Sequence, residues 1–312
     1  MVIKKEFTFL SRNGRDRCHA YSWAPKDQNI RAVFQIVHGM QEYVPRYESF
    51  AAFLANEGFL VVGEDHLGHG LTAAADKDLG YFTEGDASTV LVRDVHRLKK
   101  MTQEEHPGVP YFIMGHSMGS FILRKYLAMY GKGIDGAILM GPGAQPAIAA
   151  SMGIFFTNIL RLFHGDRYQS RFITGLAFGS YLKRIPDHKT SSDWLTRDEE
   201  IIQSYRADKY CTFKFSLNAY RTLFKTINYV SKTGNLTKIS KDIPILITAG
   251  MEDPVGDYGK GPAKICEQYR RLGIKDVQLK LYDDCRHEIL NEFNKEEVYN
   301  DILNWVNSHI NQ

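Results

Sequence analysis

Short, nearly continuous apolar runs alternate along the chain with longer stretches in which apolar residues recur every three or four positions. Ala32-Val33-Phe34-Gln35-Ile36-Val37, Phe59-Leu60-Val61-Val62-Gly63 and Ala137-Ile138-Leu139-Met140 are of the first kind, as are residues 109–114 and 244–249. A strand covered by helices on both faces has this character, because neither face meets water. Residues 45–56, 88–106 and 118–130 are of the second kind. Within 88–106, Val90, Leu91, Asp94, Val95 and Leu98 fall on one face. Two further strands are predicted at 4–11 and 17–23, joined by the polar turn Arg12-Asn13-Gly14-Arg15-Asp16. Near the end a crossover helix (263–272), a strand (277–282) and an amphipathic helix (295–310) follow. The last turns Val298, Ile302, Trp305 and Val306 to one side.

This alternation predicts an α/β fold with a mostly parallel eight-stranded sheet flanked by helices. The rhythm fails between residues 143 and 240, where apolar and aromatic clusters appear without the strand signal. Residues 1–142 and 241–312 are therefore expected to form the core, and 143–240 a helical cap inserted into it. No internal repeat or low-complexity linker marks a second independent domain.

Composition narrows the function classes. With 39 Lys and Arg against 36 Asp and Glu in 312 residues, the formal charge is only +3, and no basic run predicts nucleic-acid binding. The run Arg97-Leu98-Lys99-Lys100 reads as the solvated end of a helix. Cys18, Cys211, Cys266 and Cys285 are far apart and form no C-x-x-C pair, so neither a zinc site nor a thiol redox centre is expected. No cofactor or metal is called for. Charge interrupts the opening Met1-Val2-Ile3-Lys4-Lys5-Glu6, unlike a signal peptide, and no window approaches the roughly 20 apolar residues of a membrane span. A cytoplasmic protein is the expectation.

The chemistry begins at Gly115-His116-Ser117-Met118-Gly119, a G-x-S-x-G sequence lying between a predicted strand and a predicted helix. A serine on such a sharp turn is lifted above the sheet, and small residues around it let the backbones approach. Serine needs a base to take its proton, and the base needs an acid to orient it. In the order Ser, acid, His, the candidates are Ser117, Asp253 and His287, the last two each just beyond a predicted strand. Glu252 and Asp257 are rival acids. His116 is poorly placed as the base because the elbow sends neighbouring side chains in different directions. His38, His66 and His69 precede the nucleophile and require other roles.

Together His38-Gly39-Met40, Asp65-His66-Leu67-Gly68-His69-Gly70, the G-x-S-x-G elbow, the Gly250-Met251-Glu252-Asp253 loop and His287 resemble the monoacylglycerol lipase and lysophospholipase branch of the α/β-hydrolases. That branch is also described as the serine aminopeptidase S33 or Hydrolase 4 family. The resemblance implies an oxyanion hole made by the backbone N–H groups of Met40 and Met118. It implies structural hydrogen bonding by Glu42 and Tyr43, and an architectural role for the 65–70 loop; a metal held by Asp65, His66 and His69 is the alternative there. Ser120 stands where many relatives carry a second glycine.

The implied activity is ester hydrolysis through an acyl-enzyme, on a monoacylglycerol or lysophospholipid. A small or aryl carboxylic ester is the alternative, and amide hydrolysis or a noncatalytic ligand-binding role ranks below both. Ile148, Met152, Phe155, Phe156, Ile159, Leu162 and Phe163, with Phe213, Phe215, Tyr220 and Phe224, either line an acyl entrance or pack the cap onto the core. The expected partners are a small ester or single-chain lipid and, transiently, a membrane surface touched by the cap.

Overall fold

A computed structural model describes residues 2–27 and 29–310. Its sheet has eight strands: β1 (Val2–Leu10), β2 (Arg17–Pro25), β3 (Ala32–Val37), β4 (Phe59–Glu64), β5 (Tyr111–His116), β6 (Gly136–Met140), β7 (Ile245–Gly250) and β8 (Val277–Tyr282). Their spatial order is β1-β2-β4-β3-β5-β6-β7-β8. β1 and β2 form an antiparallel hairpin, and β2 pairs antiparallel with β4. Every later pairing is parallel. The predicted mostly parallel sheet is therefore present, with an antiparallel edge. β3, β4, β5, β6 and β7 are buried at every position, which is why they read as unbroken apolar runs.

Eleven α-helices occur among the described residues. In the core these are α1 (Glu48–Asn56), α2 (Ala87–Glu105), α3 (Met118–Tyr130), α10 (Lys260–Arg271) and α11 (Lys295–Ile310). The stretch predicted as one helix over 45–56 begins as a 3-10 turn, Val44–Tyr47, with Pro45 in its first turn. Beyond Asp253-Pro254 the chain makes successive turns, and the crossover helix predicted from residue 263 starts three residues earlier, at Lys260.

The segment between β6 and β7 holds α4 (Ala147–His164), α5 (Arg171–Phe178), α6 (Glu199–Ala207), α7 (Lys209–Thr212), α8 (Leu217–Val230) and α9 (Thr233–Leu236). These helices do not share one environment. α8 is buried along most of its length and packs on α2 and α3 as well as on α4. Asn218 accepts from the Phe82 N–H and donates to the Thr83 carbonyl, and Arg124 donates to the Val230 carbonyl. α4 buries only Ala150, Gly153 and Thr157, the small residues that let α8 approach. Its other side exposes Leu162 at 83% and Phe163 at 79%, with Ile148, Phe155 and Ile159 also outward.

Two expectations are corrected. Lys99, read as part of a solvated helix end, is buried; its amine lies over the Tyr111 ring and donates to Gln103. Burial, with Lys100 adjacent, lowers its pKa to about 8. A helix end presents several faces, and a basic run says nothing about which one meets the sheet. The second concerns membrane spans. By length and composition alone, Ala147–His164 is long and apolar enough to cross a bilayer, with a mean hydropathy of 1.3 over 18 residues.

Candidate active site

The parallel strands end together, and the loops beyond their C-terminal ends carry each predicted site residue, as open α/β sheets dispose their sites. His38-Gly39-Met40 follows β3, Ser117 follows β5, Asp253 follows β7 and His287 follows β8. Ser117 sits between β5 and α3 at φ +53°, ψ −117°, a conformation that a non-glycine residue adopts at a cost of about 1–3 kcal/mol. The turn is held from both sides: the Ser117 N–H donates to the Met140 carbonyl at 3.0 Å. The Ser117 carbonyl accepts from Ser120, whose hydroxyl lies 2.6 Å away. A Cβ on Gly119 would lie 2.0 Å from the Val37 oxygen, and one on Gly115 2.4 Å from the Gly119 oxygen. The motif's two glycines are thus demanded by backbone contact between β3, β5 and α3.

His287 and Asp253 are both buried, with Nδ1 of the imidazole 2.9 Å from Asp253 Oδ2. The other carboxylate oxygen, Oδ1, accepts from the Val255 N–H at 2.8 Å, so the acid is fixed from its own loop. Of the rival acids, Glu252 faces the Arg286 guanidinium at 3.7 Å. Ser117, Met40, Met118 and His287 line one cavity of about 260 Å³. Met118 is the first residue of α3, where helix N–H groups have no carbonyl one turn back to bond. Most of the remaining wall is apolar, including Phe121, Met152, Leu176, Phe178, Leu223, Phe224 and Ile227. Of the apolar cap residues singled out in the sequence, Met152 and Phe224 reach this wall, while Phe215 and Tyr220 are core.

Behind the cavity, Glu42 Oε1 accepts the Gly39 N–H and lies 2.9 Å from both Tyr47 Oη and His116 Nδ1. The Tyr43 hydroxyl donates to Asp208 at 2.8 Å, tying this loop to the junction of α6 and α7. Gln41 reaches the Phe213 carbonyl. In the 65–70 loop, Asp65 accepts from the Val44 and Leu71 N–H groups, and burial raises its pKa to about 6. The His66 ring packs against that of His38, tilted by 33° at a centroid separation of 4.1 Å. Burial holds His66 at about 3 and His69 at about 4, so both rings are neutral. His69 Nδ1 faces the Leu67 carbonyl, and its ring packs among Phe82, Phe213 and Phe215.

Several site residues were not visible to sequence reasoning. Gly141, at φ +55°, brings the end of β6 against the His287 ring: a Cβ there would lie 3.0 Å from Cε1 and 3.2 Å from Nδ1. In the sequence it marks only a strand end. Trp194 packs on His287 with ring centroids 5.1 Å apart. Arg46 makes a two-pronged pair with Glu288 at 2.6 and 2.8 Å across 242 residues, a partnership no local pattern signals.

The Hydrolase 4 family, described as Serine aminopeptidase, S33, matches residues 28–294. The monoacylglycerol lipase of Mycolicibacterium smegmatis is 27% identical over 295 residues, covering 92% of each chain. The structure of a thermostable carboxyl esterase from Bacillus coagulans superposes with a TM-score of 0.91 at 31% identity, covering 98% of this chain and 99% of that one. A lipase in an open form gives a TM-score of 0.89 at 29% identity over 99% and 100% of the two chains. With its eight-stranded sheet, its serine elbow and this match across most of its length, the chain belongs to the Hydrolase 4 (S33) family of α/β-hydrolases, a serine-hydrolase type related to the monoacylglycerol lipases and esterases.

Proposed function

We propose that this protein hydrolyses carboxylic esters of single-chain lipids, monoacylglycerols foremost, with Ser117, His287 and Asp253 as its triad. The observation that carries this reading is the Asp253–His287 pair, whose imidazole shares with Ser117 the wall of a mostly apolar cavity. His287 takes the Ser117 proton as Oγ bonds to the ester carbonyl carbon. The carbonyl electron pair moves onto oxygen, where the Met40 and Met118 N–H groups receive it. Collapse breaks the bond to the alcohol, which leaves with the proton from His287. Water, deprotonated by His287, then attacks the acyl-enzyme; collapse releases the acid and returns the proton to Ser117. Asp253 holds the imidazole tautomer and stabilises its charged form.

The apolar wall supports a substrate with an acyl chain over one with a polar side chain. The relatives named monoacylglycerol lipase support a glycerol ester, and the Bacillus coagulans esterase was crystallised with glycerol. That same relative, a carboxyl esterase, favours small esters as the second reading. Initial rates on 1-monoacylglycerols and aryl esters of matched chain length separate the two, with Ser117→Ala as control. A maximum at long monoacylglycerols supports the lipid reading; activity confined to acetyl and butyryl aryl esters supports the other. Full activity in Ser117→Ala refutes both.

The cap is proposed to touch a lipid surface while substrate enters. Its outward apolar ridge on α4 continues onto α5 at Phe172 and Leu176. Residues 143–240 also carry 14 Lys and Arg against 7 Asp and Glu. A cationic cap with an apolar crest suits a membrane bearing anionic lipid. Sedimentation with phosphatidylcholine vesicles, with and without phosphatidylglycerol, tests this; equal and negligible binding to both would refute it.

A further inference from the structure

His116 precedes the proposed nucleophile, and the triad makes no use of it, yet it is among the most heavily engaged side chains at the site. Its Nδ1 faces Glu42 Oε1 and the Tyr47 hydroxyl, each at 2.9 Å. The tyrosine hydroxyl donates to the same carboxylate at 2.9 Å, which leaves its oxygen to accept. Nε2 faces the backbone carbonyl of His287 at 3.3 Å. With the Glu42 carboxyl held ionised by its cationic neighbours, both ring nitrogens look at acceptors, an arrangement that a doubly protonated imidazole satisfies.

The charge count leads to the same place. Packed around the ring are Glu42 and Arg46 from the β3–α1 connection, with Tyr47, and His287 and Glu288 from the loop after β8; Asp253, from the loop after β7, is engaged with His287. Glu42, Glu288 and His116 are all buried, and Arg46 bridges the two carboxylates at 3.5 Å and 2.6 Å. Two buried carboxylates against one guanidinium leave a negative charge uncompensated, and a protonated His116 supplies the balance. Glu42 and Glu288 together raise the proton affinity of His116 against the penalty of burial, and Arg46 and His116 hold Glu288 down at about 2.

Glu42 Oε1 also accepts the N–H of Gly39, the residue before Met40. One ion pair thus spans the loop carrying Met40, the elbow carrying Ser117 and the loop carrying His287. Resting on the serine-hydrolase reading above, we propose that His116 is a buried imidazolium acting as a positioning residue, fixing the oxyanion loop and the base loop relative to Ser117. Once it loses its proton, one ring nitrogen becomes an acceptor facing an acceptor, and one of the two loops is released. Turnover then falls on the alkaline side.

Two measurements test this. In the wild-type protein, ring ¹⁵N shifts should show His116 protonated on both nitrogens at pH 7; a neutral ring there overturns the proposal. The second is the pH profile of kcat on a soluble butyryl aryl ester. Glu42→Gln keeps an oxygen for the Gly39 N–H but removes the charge, so the alkaline limb should move to lower pH by about one unit or more. His116→Gln should remove that limb and lower kcat about tenfold at neutral pH, with KM changed less than twofold. Unshifted limbs in both variants overturn the proposal. Should Glu42→Gln fail to fold, Glu288→Gln removes the other negative charge and should shift the limb in the same direction. Full turnover by Ser117→Ala would instead sink the serine reading, leaving the ring spectrum of His116 unaffected.

Discussion

Replacing Gly141 by alanine should lower turnover as well as stability, because the added methyl meets the His287 ring. A Cβ at this position lies 3.0 Å from His287 Cε1, 3.2 Å from Nδ1 and 3.5 Å from Asp253 Oδ2. Carbon atoms prefer to sit about 3.5–4.0 Å apart, so the ring must retreat by about 0.5 Å or the β6 terminus must move by as much. The imidazole cannot retreat freely, because Trp194 packs on it and Asp253 holds its Nδ1. A misplacement of about 1 Å costs roughly a hundredfold in rate, so about half of that displacement corresponds to roughly tenfold in kcat. The backbone at φ +55° adds about 1–2 kcal/mol of strain for a residue with a Cβ. In a chain of this size that lowers Tm by a few degrees. Steady-state kinetics on a butyryl aryl ester, paired with a thermal melt, would show kcat down about tenfold with KM near its original value. A kcat within twofold of wild type, alongside a lowered Tm, would refute the claim that Gly141 sets the position of the His287 ring.

Three further outcomes follow from buried charge. Arg46→Met leaves Glu42 and Glu288 without their guanidinium and should cost about 3–5 kcal/mol in denaturant unfolding; a loss under 1 kcal/mol would show the pair is not effectively buried. His69 is neutral in the fold at about 4, whereas an unfolded chain takes up its proton as pH falls through the ordinary 6.5. Its contribution therefore weakens from pH 6.5 down toward 4, and His69→Gln should flatten the wild-type loss of stability across that window. Lys99, depressed to about 8, costs the fold most below pH 8, where the buried amine is charged. Lys99→Met should accordingly raise Tm at pH 7, by a margin that shrinks toward pH 10.5; a margin independent of pH would assign the gain to packing alone.

The sheet was legible because its inner strands are buried on both faces, and an unbroken run such as Ala32–Val37 leaves few alternatives. The elbow was legible because a serine between two glycines, at a strand-to-helix junction, has a steric reason to be there. Long-range partnerships were not. Nothing near Arg46 announces Glu288, and nothing in Gly141-Pro142-Gly143 announces the histidine whose ring it accommodates. Lys99 was misread for a related reason: helical periodicity gives a face, but a long aliphatic stem lets a charged residue sit on the wrong one. In the inserted segment aromatic density could not distinguish Phe215, which is core, from Phe155, which is exposed.

The unequal burial of the inserted helices has a consequence for how this enzyme could be diversified. α8 is tied to the loop before α2 by Asn218, to α2 by the Thr226–Ser88 contact and to α3 by the Val230 carbonyl, so changes along it are felt in the hydrolase core. α4 rests on that platform through Ala150, Gly153 and Thr157 and α5 through Ile173, and the two contribute Met152, Leu176 and Phe178 to the cavity. The segment from α4 through α5 can therefore be exchanged as a cassette for one of different length or polarity, with the sheet and the loops that carry Ser117, Asp253 and His287 left in place. In such a chimera, selectivity for chain length would travel with the cassette, while the intrinsic rate on the smallest esters would stay with the recipient.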